Sequence, residues 1–318
     1  MHFRHRKWFW LAVLLFFAGS ALGSVFYSQP IWTINLIQRI GFRLSGVESR
    51  WVTLDGHQIH YYVRGPVNGP AVVLVHGLGA RAEDWMALSP YLARAGYRVY
   101  MPDLLGYGQS EKPPDAAYSI PEEAALVVSF MDAMQLKQPD LAGWSMGGWI
   151  AQRIAWEHPD RVRRLALMDS AGLKAPPEWD TRLFTPTSHA ELDQLDALIM
   201  PHPPYVPEFI AQDIVRLSEK NGWVIKRALV QMLSGRDVTD AELPGLTMPV
   251  LILWADQDHI MPLSLGREMH RLVPQSRLEI APGCGHLGPE QCPKLYGPAL
   301  VRFLQADPAL GAGEEVLR

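Results

Sequence analysis

The sequence predicts an α/β fold: a mostly parallel sheet with helices on both faces, a helical insert over one sheet edge and an apolar N-terminal segment. Three observations carry this expectation. From Ala71 to Gln305, short apolar runs alternate with helical patterns, and such alternation builds a parallel sheet covered by helices. The alternation stops between Gly172 and Leu246, where prolines abound and no strand-like apolar run occurs. Finally, no Asp, Glu, Lys or Arg lies between Trp8 and Gln38.

The chain has 318 residues, 48% hydrophobic and 19% charged, with a net charge of −4. That composition excludes a disordered chain, a collagen-like repeat and a coiled coil. The mild acidity leaves no electrostatic footprint for a nucleic acid. Two cysteines are too few for a disulfide-stapled scaffold or a thiolate zinc cluster. No metal or cofactor is expected, and no obligatory protein partner is implied.

At the N-terminus, Trp8 to Tyr27 makes 20 apolar or uncharged residues. At ~1.5 Å per residue such a helix spans the ~30 Å hydrocarbon core of a bilayer. Arg4, Arg6 and Lys7 precede it, and Trp8, Trp10 and Tyr27 sit where an aromatic belt lies. A cleaved signal peptide competes, because Ala21-Leu22-Gly23 has the small-residue pattern of a cleavage site. A buried core helix is the third reading. The preferred expectation is a transmembrane segment, a single-pass anchor with the rest of the chain on the non-cytoplasmic side (the periplasm in a bacterium). The next stretch, Ile31 to Leu44, has apolar positions at helical spacing. It suits a helix lying in the lipid interface and, equally, one packed on the soluble part.

Beyond residue 50 the elements follow in order. Trp51 to Leu54 and Gln58 to Arg64 flank Asp55-Gly56 and predict a hairpin. Ala71 to Val75 is a continuous apolar run, suited to a strand buried on both faces. Arg98 to Pro102, Leu141-Ala142, Val162 to Met168, Val250 to Trp254 and Arg277 to Ile280 are further strands. Helices are expected over Pro121 to Met134, Ser145 to Glu157, Leu263 to Leu272 and Lys294 to Gln305. In the insert, Ser188 and Glu191 form a capping-box pair, and Phe209 to Lys220 and Trp223 to Leu233 suggest two more helices. The organisation expected is therefore an anchor and linker over 1–50, a core over 51–171 and 246–305, a helical cap over 172–245 and a tail over 306–318.

Gly143-Trp144-Ser145-Met146-Gly147 has the G-x-S-x-G pattern of a nucleophile elbow between a strand and a helix. The glycines Gly143 and Gly147 let neighbouring backbone pass close to the turn. The turn lifts the Ser145 hydroxyl to the top of the sheet. A serine hydroxyl needs a base, and His286, in a glycine loop after the last strand, can reach across the sheet edge. The histidine in turn needs a carboxylate to set its tautomer. Asp258 is the choice, with Asp169 and Asp256 as competitors; Asp256 reads as a loop cap. His76-Gly77-Leu78-Gly79 follows the first buried strand, and the amides of Leu78 and Met146 would form an oxyanion hole. His76 is expected to brace that loop. His57 and His60, three apart on a strand, face opposite sides and make no metal pair.

Two other readings use the same residues. Gly77-Leu78-Gly79-Ala80-Arg81-Ala82, with Asp103 downstream, matches a dinucleotide-binding fingerprint, but leaves Ser145, Asp258 and His286 unexplained. An inactive binding scaffold would normally carry a broken triad, and here none is broken. Cys284 and Cys292 lie on either side of His286; pairing in an oxidising compartment is one reading, and free thiols are the preferred expectation, because the intervening proline restricts their approach.

His76-Gly77, Asp103 with Gly106-x-Gly108-x-Ser110, the Ser145 elbow, Asp258 and Gly285-His286 resemble the α/β-hydrolase superfamily with a helical cap. The resemblance covers about residues 50–305. The nucleophile position holds serine, unlike that of haloalkane dehalogenases and epoxide hydrolases, which use aspartate. Asp169-Ser-Ala-Gly-Leu173, Phe184-Thr-Pro-Thr and the N-terminal segment look like the membrane-bound monoacylglycerol lipases and related bacterial lipases. One departure follows His286, where a Glu common in the family is Gln291. The resemblance implies a membrane-anchored serine hydrolase acting on lipid-like carboxylic esters, with a monoacylglycerol as the expected substrate. A peptidase or a carbon–carbon bond hydrolase on the same three residues is the alternative.

Overall fold

The computed structural model describes residues 23–318. Most of the expected span Trp8–Tyr27 therefore lies outside the described residues. Among the described residues, no helix is long and apolar enough to cross a membrane.

Residues 23–28 are helical, and the helix breaks at Gln29, ahead of Pro30, as expected for a residue that lacks an N–H and restricts its predecessor. Helix α1 (Pro30–Leu44) follows. It packs on the rest of the domain through one face. The Ile31 amide donates to Asp213 (3.0 Å), Arg81 donates to Asn35 (2.8 Å), and Arg39 pairs with the buried Glu83 (3.1 Å). Its other face leaves Trp32, Leu36, Ile37, Ile40 and Leu44 exposed.

Strands β1 (Glu48–Leu54) and β2 (His57–Arg64) form the hairpin. Asp55 and Gly56 both have positive φ, which matches the twist of a two-residue turn to that of its strands. There follow β3 (Ala71–Val75), α2 (Ser89–Arg94), β4 (Arg98–Pro102), α3 (Ile120–Ala133), β5 (Asp140–Trp144), α4 (Met146–Glu157) and β6 (Leu165–Met168). The insert holds α5 (His189–Ile199) and α6 (Glu208–Met232), after which come β7 (Val250–Ala255), α7 (Leu263–Leu272), β8 (Arg277–Ala281), α8 (Gly288–Gln291), α9 (Pro293–Gln305) and β9 (Gly313–Val316). The sheet order is β1-β2-β4-β3-β5-β6-β7-β8-β9. Strand β2 runs antiparallel to both neighbours, and every other neighbouring pair is parallel.

The core divides by strand phase. Val73, Val75 and Leu141 point to one face, under α3 and α4, while Val72, Leu74 and Ala142 point to the other, with α2 and α9. Burial on both faces explains why β3 reads as an unbroken apolar run.

Three expectations change. The two cap helices expected over 209–233 are one helix, α6, of 25 residues. Gly222 costs about 1 kcal/mol in helix propensity. Packing outweighs that: Val224 and Ala228 are buried, and Arg227 donates to Ala116 O at 2.8 Å. Strand β5 starts at Asp140, immediately after Pro139. The proline needs no N–H at that point, and its carbonyl accepts from Arg163 N (3.0 Å). The tail carries β9, which adds to the sheet edge beside β8. Arg267 pairs with Glu314, Arg277 pairs with Glu315, and Leu317 is buried.

Candidate active site

Strand β5 delivers the chain into a sharp turn at Ser145, whose φ of 56° and ψ of −122° are strained for a residue with a side chain. A Cβ on Gly143 would overlap the Gly147 carbonyl. One on Gly147 would overlap the carbonyl of Val75 and lie 2.5 Å from that of His76. Glycine at both positions is thus a steric requirement of the elbow. Helix α4 begins at Met146, whose N–H belongs to the first turn and has no acceptor within the helix.

His286 Nε2 lies 3.0 Å from Ser145 Oγ, and His286 Nδ1 lies 2.7 Å from Asp258 Oδ2. A carboxylate can only accept, so Nδ1 carries the proton and Nε2 is free to accept from the serine hydroxyl. Asp258 Oδ1 accepts from the amides of Ile260 and Met261, both at 2.8 Å. All three side chains are buried or nearly so. The structure thus brings together Ser145, His286 and Asp258, which are far apart in sequence, in a continuous chain of contacts with the geometry that activation of a serine oxygen requires.

The competing acids have other partners. Asp256 accepts from Gly283 N at 2.7 Å and holds the start of the histidine loop. Asp169, buried with φ of 45°, accepts from Ala255 N (2.7 Å) and from Tyr296 Oη (2.6 Å). Burial, together with the nearby Asp258 charge, pushes its carboxyl well above the usual carboxylate range.

The loop after β3 runs beside the nucleophile, since a Cβ on Gly77 would lie 3.1 Å from Ser145 Cβ. His76 Nδ1 donates to Gly77 O (2.9 Å), and its Nε2 accepts from Leu104 N (3.0 Å). Burial lowers its pKa and keeps the ring neutral. Leu78 lines the same cavity as Ser145. The dinucleotide reading fails here. Asp103 is buried; it accepts from Ala82 N (2.7 Å) and Gln109 N (3.0 Å), and contacts His60 Nδ1 at 2.8 Å. Burial alone would raise its pKa, but these hydrogen bonds hold it low. Fully buried among these partners, it is closed to a ribose.

The cysteine expectation is also corrected: Cys284 and Cys292 form a disulfide, with Cα atoms 6.2 Å apart. The short helix α8 folds the chain back, Cys292 N donating to Gly288 O at 2.8 Å. Pro289 sits in the first turn of α8, where its missing N–H costs nothing.

A cavity of about 740 Å³ opens over Ser145. Trp149, Trp179, Phe184, Leu229, Met232 and Met261 give it apolar walls, and Lys174, Glu178 and His259 are among the charged or titratable residues lining it. The cap thus supplies much of the wall facing Ser145. Trp179 is locked to the core by donating to Ile260 O (3.1 Å). Two contacts have no signal in the sequence: Trp144 Nε1 donating to His286 O at 2.7 Å, and the Tyr296–Asp169 bond. Among the described residues, no cluster of His, Cys, Asp or Glu has the geometry to hold a metal.

This architecture, with a serine on the β5–α4 elbow and a base after β8, defines an α/β hydrolase. The chain belongs to that family: the family model described as alpha/beta hydrolase fold matches residues 70–237 and 220–291. Over 229 residues it is 30% identical to 2-hydroxymuconate semialdehyde hydrolase of Pseudomonas sp. (strain CF600), covering 69% of this chain and 81% of that one. It is 26% identical to Lipase 1 of Psychrobacter immobilis over 262 residues, 76% of this chain and 80% of that one. Among solved structures, it is similar to a membrane phospholipase A described as a bacterial virulence factor. That match has 27% identity and a TM-score of 0.78, and covers 94% of this chain and all of the other. The resemblance to bacterial lipases therefore extends over sequence and fold.

Proposed function

We propose that this protein is a membrane-anchored serine hydrolase that cleaves carboxylic esters of lipid-like alcohols, with monoacylglycerols as the leading substrate class. The observation that carries the reading is the Ser145–His286–Asp258 relay, with contacts of 3.0 and 2.7 Å, at the base of a mostly apolar cavity.

In this reading His286 Nε2 takes the Ser145 proton as Oγ attacks the acyl carbon. The amides of Leu78 and Met146 hold the oxyanion. The tetrahedral intermediate collapses, the ester C–O bond breaks, and His286 returns the proton to the departing alcohol. A water, deprotonated by the same nitrogen, then hydrolyses the acyl-enzyme. Asp258 keeps the imidazole in the productive tautomer throughout. A cavity of about 740 Å³ lies within the ordinary range of ~300–1,000 Å³ for small-molecule sites, a size suited to a single acyl chain.

The membrane part of the reading draws on two features. The segment from Trp8 to Gln38 is uncharged, and α1 turns Trp32, Leu36, Ile37, Ile40 and Leu44 outward. Helix α1 then serves both roles its sequence suits, one face on the protein and the other on lipid. The catalytic domain lies on the non-cytoplasmic side. A second reading, carbon–carbon bond hydrolysis at the same serine, is favoured by the likeness to 2-hydroxymuconate semialdehyde hydrolase.

The test is fluorophosphonate labelling of the full-length protein, followed by p-nitrophenyl esters of rising chain length. Labelling lost in Ser145→Ala, with turnover that increases with chain length, is the expected result. Labelling retained in that variant would remove Ser145 as nucleophile. Labelling without turnover of any ester would favour the carbon–carbon reading.

A further inference from the structure

The histidine loop lies outside the sheet. It joins β8 to α9 and contains Gly283, Gly285 and Gly288, so its backbone has much freedom to lose on folding. Single hydrogen bonds pin its first half: Gly283 N to Asp256, Gln257 N to Cys284 O, and Trp144 Nε1 to His286 O. Those bonds do not tie the far end of the loop to its beginning. The Cys284–Cys292 disulfide does. It closes a ring of nine residues with His286 inside it. One end of the ring, Cys284, is buried in the core. The other adjoins α9, which is anchored by the bond from Tyr296 to Asp169.

We infer that the Cys284–Cys292 disulfide is a positioning element of the active site, holding His286 in register with both Ser145 and Asp258, and that turnover depends on its oxidised state. The inference rests on the ester-hydrolase reading above. Reduction is a two-electron exchange with a dithiol: the S–S bond breaks, Cys284 and Cys292 each gain a proton as thiols, and the reductant closes to its own disulfide. The ring then opens, and the loop that carries the imidazole keeps its hydrogen bonds but loses the covalent tie between its ends. The protein would therefore reach full activity only in an oxidising compartment. This agrees with a catalytic domain outside the cytoplasm and comes from a different part of the molecule than the N-terminal segment.

The chain has two cysteines, both in this bond, so a reductant acts on one target. The full-length protein is treated with dithiothreitol under native conditions, and reduction is confirmed by alkylation and mass. Turnover of a soluble p-nitrophenyl ester is then measured per fluorophosphonate-titrated site. The expected result is a fall in kcat of about 10-fold or more with KM within about twofold, reversed on reoxidation. The double variant Cys284→Ala, Cys292→Ala carries the test if the buried bond resists reductant. Unchanged kcat per titrated site, or a fall that reoxidation does not reverse, overturns the inference. A loss of titratable sites with full kcat in those that remain also overturns it, because the bond would then stabilise only the fold. These results are separate from a failure of the ester reading, in which the oxidised wild type itself shows no Ser145 labelling or no ester turnover.

Discussion

Ser145 stands at the junction of a fully buried strand and a helix, whereas His286 hangs in a glycine-containing loop between β8 and α9. Backbone packing sets the first position: β5 lies between β3 and β6, and the Gly147 turn fits against the carbonyls of Val75 and His76. The second depends on side chains: Asp258 on the ring, Trp144 on the carbonyl, Asp256 on the loop entrance and a disulfide across it. A serine placed by backbone packing depends little on the side chains around it, provided the elbow glycines are kept. A base held by many separate contacts loses alignment when one is lost. Sub-ångström alignment is worth a large share of the rate, so the loop is where this site is most easily damaged.

The largest effect expected is on the serine itself. Ser145→Ala should lower kcat by on the order of 10⁴ or more while leaving the melting temperature nearly unchanged, because members of such a relay act as a unit. A residual rate within tenfold of wild type would show that the elbow does not hold the nucleophile.

Next comes the base side. Asp258→Asn should cost on the order of 10⁴ in kcat, by favouring the wrong histidine tautomer. Asp169→Asn should cost far less, since the Asp169 carboxyl is bonded to Tyr296 and Ala255 instead of the ring. If the order of the two effects is reversed, the acid belongs to β6 and the site must be redrawn.

Two glycine substitutions compare the sides by stability. Gly147→Ala puts a methyl into the Val75 carbonyl and should destabilise by roughly 3 kcal/mol, at the upper end for overpacking. Gly283→Ala meets open space but has φ of +71°, so it should cost only about 1–2 kcal/mol. Equal losses in chemical denaturation would contradict the distinction between packed elbow and soft loop.

The smallest effect concerns delivery of substrate. Deleting residues 1–29 keeps α1 and its bonds to Asp213, Arg81 and Glu83. Turnover of a short soluble ester should stay nearly unchanged, while that of a monoacylglycerol in vesicles should fall about 10-fold through lost effective concentration. An unchanged ratio of the two activities would separate the N-terminal segment from substrate delivery.

Much of the site was legible in the sequence because its chemistry needs particular residues at fixed spacing. The elbow requires glycine two residues before and two after Ser145, and a strand and helix around it. The loop after β3 has its own glycine signature. The hairpin turn at Asp55-Gly56 was legible for the same reason: local backbone demands leave local residue types. The capping box expected at Ser188 and Glu191 is only half formed. In the structure Ser188 accepts from Glu191 N at 3.2 Å, but the Glu191 carboxylate turns to Thr187 instead of Ser188. The 25-residue α6 was not legible, since Asn221-Gly222 reads as a break and only burial against the rest of the molecule overrides it. Strand β9 was missed because four residues, two of them Glu, have no apolar pattern. They pair through Arg267 and Arg277, which are distant in sequence.

By itself the sequence determined the type of most core elements and the chain order of Ser145, Asp258 and His286, because hydrophobic period and turn chemistry are properties of neighbouring residues. Only the tertiary structure decided which carboxylate faces the imidazole, that Asp103 is consumed by His60 and the Ala82 and Gln109 amides, that α1 is packed on one side and bare on the other, and that Cys284 meets Cys292. Each of those is a contact that depends on where the chain turns. The two cysteines show why: a proline between them looks like an obstacle in the sequence, but it occupies the first turn of a helix that brings the sulfurs together.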